Sequence, residues 1–383
     1  MHGVQDPVVP ILGQWIRETP GTISLGQGMV SYGPPVEAMA AARAALAEGE
    51  IHAYGPVEGD RALVEALAVK LAKENDIEVG ERSRVVVTAG ANMAFINAVL
   101  ATTDPGDEVI LLRPYYFNHE MAIVMAGCRP VGVDTDGRYH PQPEVIRRAI
   151  SSRTRAVVTV SPNNPTGAVY DRAELAAVSE LCREAGVYHI HDEAYEYFVY
   201  DHAQHVSPGA LPGASSHTIS IFSLSKSYGF AGWRIGYMVV PSALIESINK
   251  IQDTILICPT RVSQRAALGA LEAGGSYCRR HVATLAVVRQ TMADHLSGLT
   301  GICEAPTPEG AFYCFVRTRS SLAPLELAER LIKDHAVAVV PGSAFGEQRG
   351  CTFRLSYGAL DPGSANIGLS RLSSGLRALA DRA

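Results

Sequence analysis

The chain has 383 residues, 47% of them apolar, and a formal net charge of −6. This length can hold two domains with a sizeable core. The acidic balance, without any block of basic residues, disfavours nucleic acid or an anionic membrane as the main partner. Seven cysteines occur without a C-x-x-C pair or zinc-like Cys/His spacing, so we expect reduced, mostly buried thiols and no metal site. No signal-peptide pattern and no run that could span a bilayer is found, which predicts a cytoplasmic protein without a membrane partner.

The N-terminal part is predicted to be an arm followed by two helices. Residues 1–20 carry prolines and few charges, which is typical of an arm that lies on another surface. An alanine-rich stretch over 36–49 predicts a helix that stops at Gly49, and a second helix is predicted over 61–73. Tyr54 lies in the turn between them, where a lone aromatic is by default an ordinary packed side chain.

A strand predicted over 84–88 is followed by Gly90, Ala91 and Asn92, which open a helix that runs to about residue 101. A strand, a glycine turn and a helix N-terminus can bind an anion such as phosphate through free amides and the helix dipole. A plain strand-to-helix connection is the alternative. No G-x-G-x-x-G follows this strand, which argues against a dinucleotide site.

Polar and aromatic residues follow the next strands at the edge where ligands bind in open α/β sheets. Tyr116 comes after the strand at 107–112, although a core aromatic is also possible. Asn164 lies in the proline-rich turn after the strand at 155–160. Asp192 directly follows the strand predicted over 187–191, three residues before Tyr195, and a carboxylate at the end of a buried strand is costly unless it is paired with a cation.

The most informative stretch is residues 219–237, where a β-branched run leads into S-L-S-K-S-Y-G-F-A-G-W-R-I-G-Y. Partial burial near the Arg234 cation would lower the pKa of Lys226 and make its amine nucleophilic. Ser223, Ser225 and Arg234 supply donors that can hold a phosphate. The stretch therefore predicts a lysine that forms a Schiff base with a phosphorylated aldehyde; an exposed lysine after a serine-rich turn is the alternative.

A second region begins near residue 277 with a long helical stretch and predicted strands at 311–316, 336–340 and 352–357. In the last of these, Arg354 points off one face and could grip a carboxylate with two parallel hydrogen bonds. An exposed strand arginine is the alternative. Arg261 is favoured as a surface residue, with contact to a partner's pocket as the other possibility.

The motif around Lys226 resembles the cofactor-lysine segment of the class I and II aminotransferases, and further similar pieces occur at 25–28, 54–59, 88–92, 163–167, 192–195 and 353–358. The resemblance implies the α/β fold of fold type I pyridoxal phosphate enzymes, with a three-layer large domain around a mostly parallel sheet and a smaller α+β domain. We expect the large domain over 45–280, and the N-terminal arm and small domain over 1–44 and 281–383. Residues 29–32 depart from the usual family pattern, which carries a proline and an acidic residue.

The resemblance also implies a cofactor, pyridoxal 5'-phosphate, held in a Schiff base by Lys226. Asp192 would pair with the protonated pyridine nitrogen, the ring of Tyr116 would stack on the pyridine, and Asn164 and Tyr195 would contact its phenolic oxygen.

The remaining implied roles concern the phosphate, the substrate and a second subunit. Ser223, Ser225, Arg234 and the turn at 90–92 would bind the phosphate, together with Tyr54 of the partner in a homodimer with shared sites. Arg354 would hold the substrate carboxylate, close to the backbone of Gly28 and to Asn164.

These roles predict an aminotransferase that moves an amino group between an L-amino acid and a 2-oxo acid, with Lys226 as the base that moves the α-proton. Another pyridoxal phosphate enzyme of this fold, such as a carbon-sulfur lyase or a tailoring enzyme of specialised metabolism, is the alternative. A non-catalytic ligand-sensing module is disfavoured because every expected catalytic position is filled. The sequence does not identify the substrate side chain.

Overall fold

The computed structural model describes residues 3–380. The α-helices of this part of the chain are α1 Val8–Glu18, α2 Val36–Ala45, α3 Arg61–Glu74, α4 Ala91–Thr102, α5 Phe117–Met125, α6 Pro143–Ala149, α7 Arg172–Ala185, α8 Leu224–Ser227, α9 Ile245–Ile255, α10 Arg261–Ala273, α11 Gly275–Ser297, α12 Pro324–His335 and α13 Pro362–Leu379. The strands are β1 Ile23–Ser24, β2 Ser83–Thr88, β3 Glu108–Arg113, β4 Arg129–Asp134, β5 Thr154–Val160, β6 Tyr188–Asp192, β7 Thr218–Ser223, β8 Gly236–Pro241, β9 Cys303–Glu304, β10 Tyr313–Thr318, β11 Val337–Ala338, β12 Val340–Pro341 and β13 Cys351–Ser356.

The large sheet has seven strands in the order β2-β8-β7-β6-β5-β3-β4. All neighbouring pairs are parallel except those made by β8, which runs antiparallel to both β2 and β7. The mostly parallel sheet that the resemblance implies is therefore confirmed. The carboxyl ends of β3, β5, β6 and β7 meet at one edge of this sheet, which is where an open α/β sheet binds its ligands.

Helices cover both faces of the large sheet. Val157 and Val158 are neighbours on β5, yet they belong to two different buried clusters on opposite faces. One cluster includes residues of α4, α5 and α9, and the other includes residues of α6 and α7. Burial on both faces explains why consecutive residues at the centre of β5 are apolar, and it produces the expected three-layer architecture.

A small antiparallel sheet has the order β12-β13-β10-β9, and β1 pairs in parallel with β11. The prediction of a single strand over 336–340 is thus wrong, because this segment forms two short strands that pair with different partners. β11 pairs with β1 from the N-terminal part, whereas β12 pairs with β13. The helices α11, α12 and α13 complete this smaller α+β unit.

Two elements cross the expected domain limits. Helix α2 (36–45) packs on α10, so closely that a Cβ at Gly269 would lie 2.5 Å from the Glu37 carbonyl oxygen. Its residues Ala38 and Ala42 share a buried cluster with α3 and α10 of the large unit. Helix α11 continues through residue 280 without a break. The domain limits at residues 45 and 280 therefore stay a prediction. Residues 1–2 and 381–383 of the predicted smaller unit lie outside the described residues.

The N-terminal arm contains the helix α1, which the prolines of this segment had not suggested. Pro10 is compatible with the helix because it lies in the first turn, where backbone N–H groups have no intrahelical acceptor. Helix α1 packs beside α12 and β12 and buries Leu12. This placement brings one face of the arm to the edge of the large sheet where the strand ends converge.

Candidate active site

A cavity of about 470 Å³ opens at the carboxyl edge of the large sheet, next to β12 and β13 of the small sheet. Most residues that the sequence predicted for the site line this cavity: Gly28, Ala91, Asn92, Tyr116, Asn164, Asp192, Tyr195, Ser223, Ser225, Lys226, Arg234 and Arg354. The predicted residues outside the lining are Gly90 and Tyr54. The fold therefore gathers residues that lie as far apart in the sequence as Gly28 and Arg354.

Lys226 lies on α8, the single-turn helix that follows β7. Its Nζ donates a hydrogen bond to the carbonyl oxygen of Gly28. Burial, followed by the cations of Arg354 and Arg234, lowers the pKa of the Lys226 amine from 10.5 to about 8. Lys226 is consequently not the exposed lysine of the alternative interpretation, and its amine is a far better nucleophile near neutral pH than an ordinary lysine.

Tyr32, in the stretch that departs from the family pattern, contacts the lysine segment. Its hydroxyl donates a hydrogen bond of 2.8 Å to the backbone carbonyl of Lys226. Its ring stacks on His281 of α11 with a centroid distance of 3.8 Å. The unusual segment thus connects the lysine turn to α11, a contact that the sequence did not reveal.

An anion cradle lies between α4 and Arg234. Gly90, the residue before α4, has φ of +85°, and a Cβ there would lie 2.5 Å from Nη2 of Arg234. The guanidinium is oriented by the Ala231 carbonyl, 2.8 Å from Nη1. The first amides of α4 have no intrahelical acceptor, so they and Arg234 present positive charge to the cavity. Ser223 and Ser225 line the cavity beside them.

Asp192 ends β6 and is only 6% exposed. One of its oxygens lies 3.1 Å from Nε2 of His119, and the other accepts a hydrogen bond of 3.0 Å from the amide of Ala194. The His119 ring stacks on Phe95 at a centroid distance of 3.9 Å. His119 was missed by the sequence analysis; its one signal was its place in the aromatic cluster after β3.

Arg354 lies in the middle of β13 and is 4% exposed, so the exposed strand arginine is excluded. Its Nη1 donates to Oδ1 of Asn164 at 2.9 Å, and its Nη2 donates to the Gly26 carbonyl at 2.7 Å. Its Nε is buried and has no hydrogen-bond partner within the described residues. A buried guanidinium with unused donor capacity is suited to bind a carboxylate in two parallel hydrogen bonds.

Three tyrosines, Tyr116, Tyr195 and Tyr313, line the cavity. The hydroxyls of Tyr195 and Tyr313 lie 2.6 Å apart, and the Arg354 guanidinium lies over the Tyr313 ring, 4.5 Å from its centroid. Burial raises the pKa of Tyr195 well above its ordinary value and raises that of Tyr116 to about 12. These phenols are therefore neutral donors at physiological pH. Tyr313 was missed, because the strand that carries it was recognised only as part of the second region.

Two residues singled out in the sequence lie apart from the cavity. Tyr54 is 80% exposed. Arg261 does not occupy the surface position that the sequence favoured. Its side chain is only 13% exposed, and its Nε lies 3.1 Å from Oδ1 of Asp60. The prediction for Arg261 is wrong because this buried carboxylate holds the guanidinium within its own chain.

The remaining predictions about composition can be compared directly with the structure. All seven cysteines are free, and all but Cys258 are buried, as expected. Residues 3–380 contain no group of His, Cys, Asp and Glu side chains that could hold a metal ion. Within the same residues, none of the helices has the length and apolar character needed to cross a bilayer.

Comparison with known proteins agrees with this geometry. The profile of the family "Aminotransferase class I and II" matches residues 20–372. The aromatic aminotransferase ISS1 of Arabidopsis thaliana is 33% identical, covering 98% of this chain and 95% of its own. A probable aspartate/prephenate aminotransferase of Thermus aquaticus is 39% identical, covering 88% of this chain and 86% of its own. A mutant aspartate aminotransferase of Thermus thermophilus superposes with a TM-score of 0.90 at 33% identity, covering 98% of both chains.

The three-layer large unit, the smaller α+β unit and the lysine after β7 define an enzyme of the fold type I class. The chain belongs to the class I and II aminotransferase family, and its activity is that of an aminotransferase. The names of these relatives support amino-group transfer over the lyase and the ligand-sensing module.

Proposed function

We propose that this chain binds pyridoxal 5'-phosphate at Lys226 and transfers an amino group between an L-amino acid and a 2-oxo acid. One observation carries the proposal: a buried amine with a lowered pKa, a buried carboxylate and a buried guanidinium line the same cavity. Lys226 follows β7, Asp192 ends β6 and Arg354 lies within β13. These three residues therefore meet through the tertiary fold and not through local structure.

The residues present fit this cofactor. The cradle formed by α4, Arg234, Ser223 and Ser225 suits a phosphate, and a Cβ at position 90 would collide with the guanidinium of Arg234. Asp192 is a buried carboxylate of the kind that holds a proton on a ring nitrogen, and His119 orients it. Asn164, Tyr195 and Tyr116 offer hydrogen-bond donors and an aromatic face. When bound, pyridoxal phosphate supplies an aldehyde that takes up the amino group and a ring that accepts electrons from Cα of the substrate.

Three residues of the protein have separate roles in the reaction. Arg354 binds the α-carboxylate of the amino acid and thereby fixes the orientation of its Cα–H bond. Lys226 Nζ accepts the α-proton and returns it to a neighbouring carbon, for which a pKa of about 8 is well suited. His119 and the Ala194 amide fix the orientation of the Asp192 side chain inside the cavity.

Replacement of the lysine tests the proposal. Lys226→Ala should lower the rate of amino transfer by on the order of 10³-fold or more, because a positioned proton carrier is lost. Borohydride reduction of the wild-type holoenzyme followed by peptide mass spectrometry should find the pyridoxyl group on Lys226, and on no residue in the variant. An alanine variant that transfers amino groups at the wild-type rate would refute the assignment. Release of ammonia without an oxo-acid acceptor would point instead to the lyase.

We further propose a homodimer with shared sites, in which Tyr54 contacts the cofactor phosphate in the partner's cavity. Tyr54 is a large exposed aromatic side chain that does not line the active-site cavity of its own chain, and its exposure supports this arrangement. We also propose the division into a large domain over 45–280 and a smaller unit formed by the rest. The free cysteines support a reducing compartment such as the cytoplasm.

A further inference from the structure

One face of α1 lines part of the cavity. Val9, Leu12, Gly13 and Ile16 all line the cavity. Their spacing of three, one and three residues places them on a single stripe of the helix. Gly13 leaves room at the centre of this stripe, since a Cβ there would meet only the end of the Arg17 side chain, at 3.5 Å. We call these four residues the α1 stripe.

The wall next to the α1 stripe is also apolar. Phe117 of α5 lines the cavity and packs against Phe345 with a ring-centroid distance of 5.6 Å. Val339 and Val340 line it from the segment that ends at β12. Together with the α1 stripe, these side chains form an apolar compartment beside the carboxylate-binding arginine.

The charged residues that this chain contributes to the cavity leave none for a charged substrate side chain. Among residues 3–380 they are Asp192, Lys226, Arg234 and Arg354. The proposed function already assigns each of them to the ring, the amino group, the phosphate or the α-carboxylate. A second carboxylate on the substrate would leave water for the apolar compartment without a cationic partner from this chain, and Tyr54, the residue that the proposed dimer brings from the other chain, is uncharged. Burial of a carboxylate without a cation is strongly unfavourable.

We propose that the amino acid substrate carries an uncharged, apolar side chain, aromatic or large aliphatic, which packs on the α1 stripe and Phe117. This inference rests on the proposed function and adds its substrate class. It favours the aromatic type of activity named for the Arabidopsis relative over the aspartate activity named for the Thermus relatives.

The first test uses the wild-type holoenzyme. Mixing it with L-phenylalanine, L-leucine, L-aspartate or L-glutamate, without an oxo acid, should convert it to the amine form, which absorbance reports. The rate constant divided by the dissociation constant should be at least about tenfold higher for phenylalanine and leucine than for the two acidic amino acids. Equal or faster reaction with aspartate or glutamate would overturn the inference while leaving the proposed function intact. A holoenzyme that reacts with no amino acid would overturn the proposed function and this inference with it.

The second test assigns the compartment to α1. Gly13→Leu fills the open space in the stripe and should raise KM for phenylalanine by about tenfold or more, while KM for alanine changes less than about twofold. Gln14→Leu is the matched control, because Gln14 is exposed on the same helix and does not line the cavity. It should change neither value. Equal effects of Gly13→Leu on both amino acids, or no effect on either, would show that α1 does not contact the substrate side chain.

Discussion

The amine of Lys226 illustrates how neighbours change the chemistry of one residue. With a pKa of about 8 it is half deprotonated near pH 8, whereas an ordinary lysine amine is almost fully protonated there. Burial is the main cause, and the positive charges of Arg354 and Arg234 act in the same direction. Arg354 therefore has two effects in the cavity: it can bind a carboxylate, and it keeps the lysine reactive.

A prediction about pH follows from this second effect. The rate at which the apoprotein combines with pyridoxal phosphate should rise with pH through about 8 and level off above it, because only the neutral amine attacks the aldehyde. Arg354→Gln removes a cation that destabilises protonated Lys226, so the midpoint should move to higher pH. Stopped-flow absorbance measures both profiles. Arg371→Gln is the control, since Arg371 binds the carbonyls of Gly21 and Ala336 outside the cavity. An unchanged midpoint in Arg354→Gln would contradict this account.

Tyr313 combines two contacts that mutation can separate. Its hydroxyl bonds to Tyr195, and its ring lies under the guanidinium of Arg354. Tyr313→Phe keeps the ring and should lower kcat by roughly 2- to 10-fold with little change in KM, as expected for one hydrogen bond. Tyr313→Leu also removes a desolvated cation–π contact of about 2 kcal/mol, so KM for the amino acid should rise by about 30-fold. If both variants show the same KM, steady-state kinetics will have excluded the role of the ring.

At the scale of elements, the connection from β2 to α4 is built around a glycine. Gly90 has a positive φ, and the space that a Cβ would take is occupied by the guanidinium of Arg234. The strand, the turn and the helix start can be predicted from the sequence, but the approach of Arg234 to this turn results from the pairing of β2 with β8. The anion cradle thus depends on both local turn geometry and sheet order.

We expect Gly90→Ala to weaken binding of pyridoxal phosphate by at least about tenfold, because the new methyl group displaces Arg234. Gly186→Ala is the matched control: Gly186 also has a positive φ, of 66°, but a Cβ there meets nothing within 4 Å. Gly186→Ala should lose about 1–2 kcal/mol of stability from left-handed backbone strain. Gly90→Ala should lose at least as much, because its φ of 85° and ψ of 169° lie in a region essentially restricted to glycine. Equilibrium titration of the apoproteins measures the affinity, and equal affinities in the two variants would show that the cradle does not depend on Gly90.

At the scale of the whole molecule, the proposed homodimer shares residues between the two cavities. A dimer of this kind makes a specific prediction about mixed subunits. Lys226→Ala removes the lysine of a chain's own cavity, whereas Tyr54→Ala would remove a phosphate contact from the partner's cavity. In a hybrid of the two variants, one cavity therefore has a native lysine and a native tyrosine from the other chain.

Mixing the two variants in equal amounts, after unfolding and refolding together, should restore about a quarter of the native sites. Transamination at low cofactor concentration measures the recovery, because loss of Tyr54 weakens cofactor binding. Each variant refolded alone serves as the control and should stay below the mixture. A mixture whose activity is only the average of the two controls, or sedimentation that shows a fully active monomer, would refute the shared site.

Much of this architecture was predictable because its causes are local. Runs rich in β-branched residues, such as 155–160, predict buried strands, and prolines and asparagines fix the turn at 161–167. Residues that follow such strands must lie near one sheet edge, which brought Asp192 and Lys226 together in the prediction. Helix α1 was not predicted, since its apolar stripe becomes meaningful only when α12 and β12 pack beside it.

The sequence by itself determined the alternation of strands and helices, the lysine segment and the family to which the chain belongs. Only the tertiary structure decided that His119 holds Asp192, that Tyr313 joins Tyr195 to Arg354, that Asp60 binds Arg261, and that α1 closes the cavity with an apolar face. The physical reason is the range of the interactions. Backbone propensity and turn chemistry act over a few residues, whereas these contacts join segments far apart in the chain, and they form only once the sheets and helices have packed.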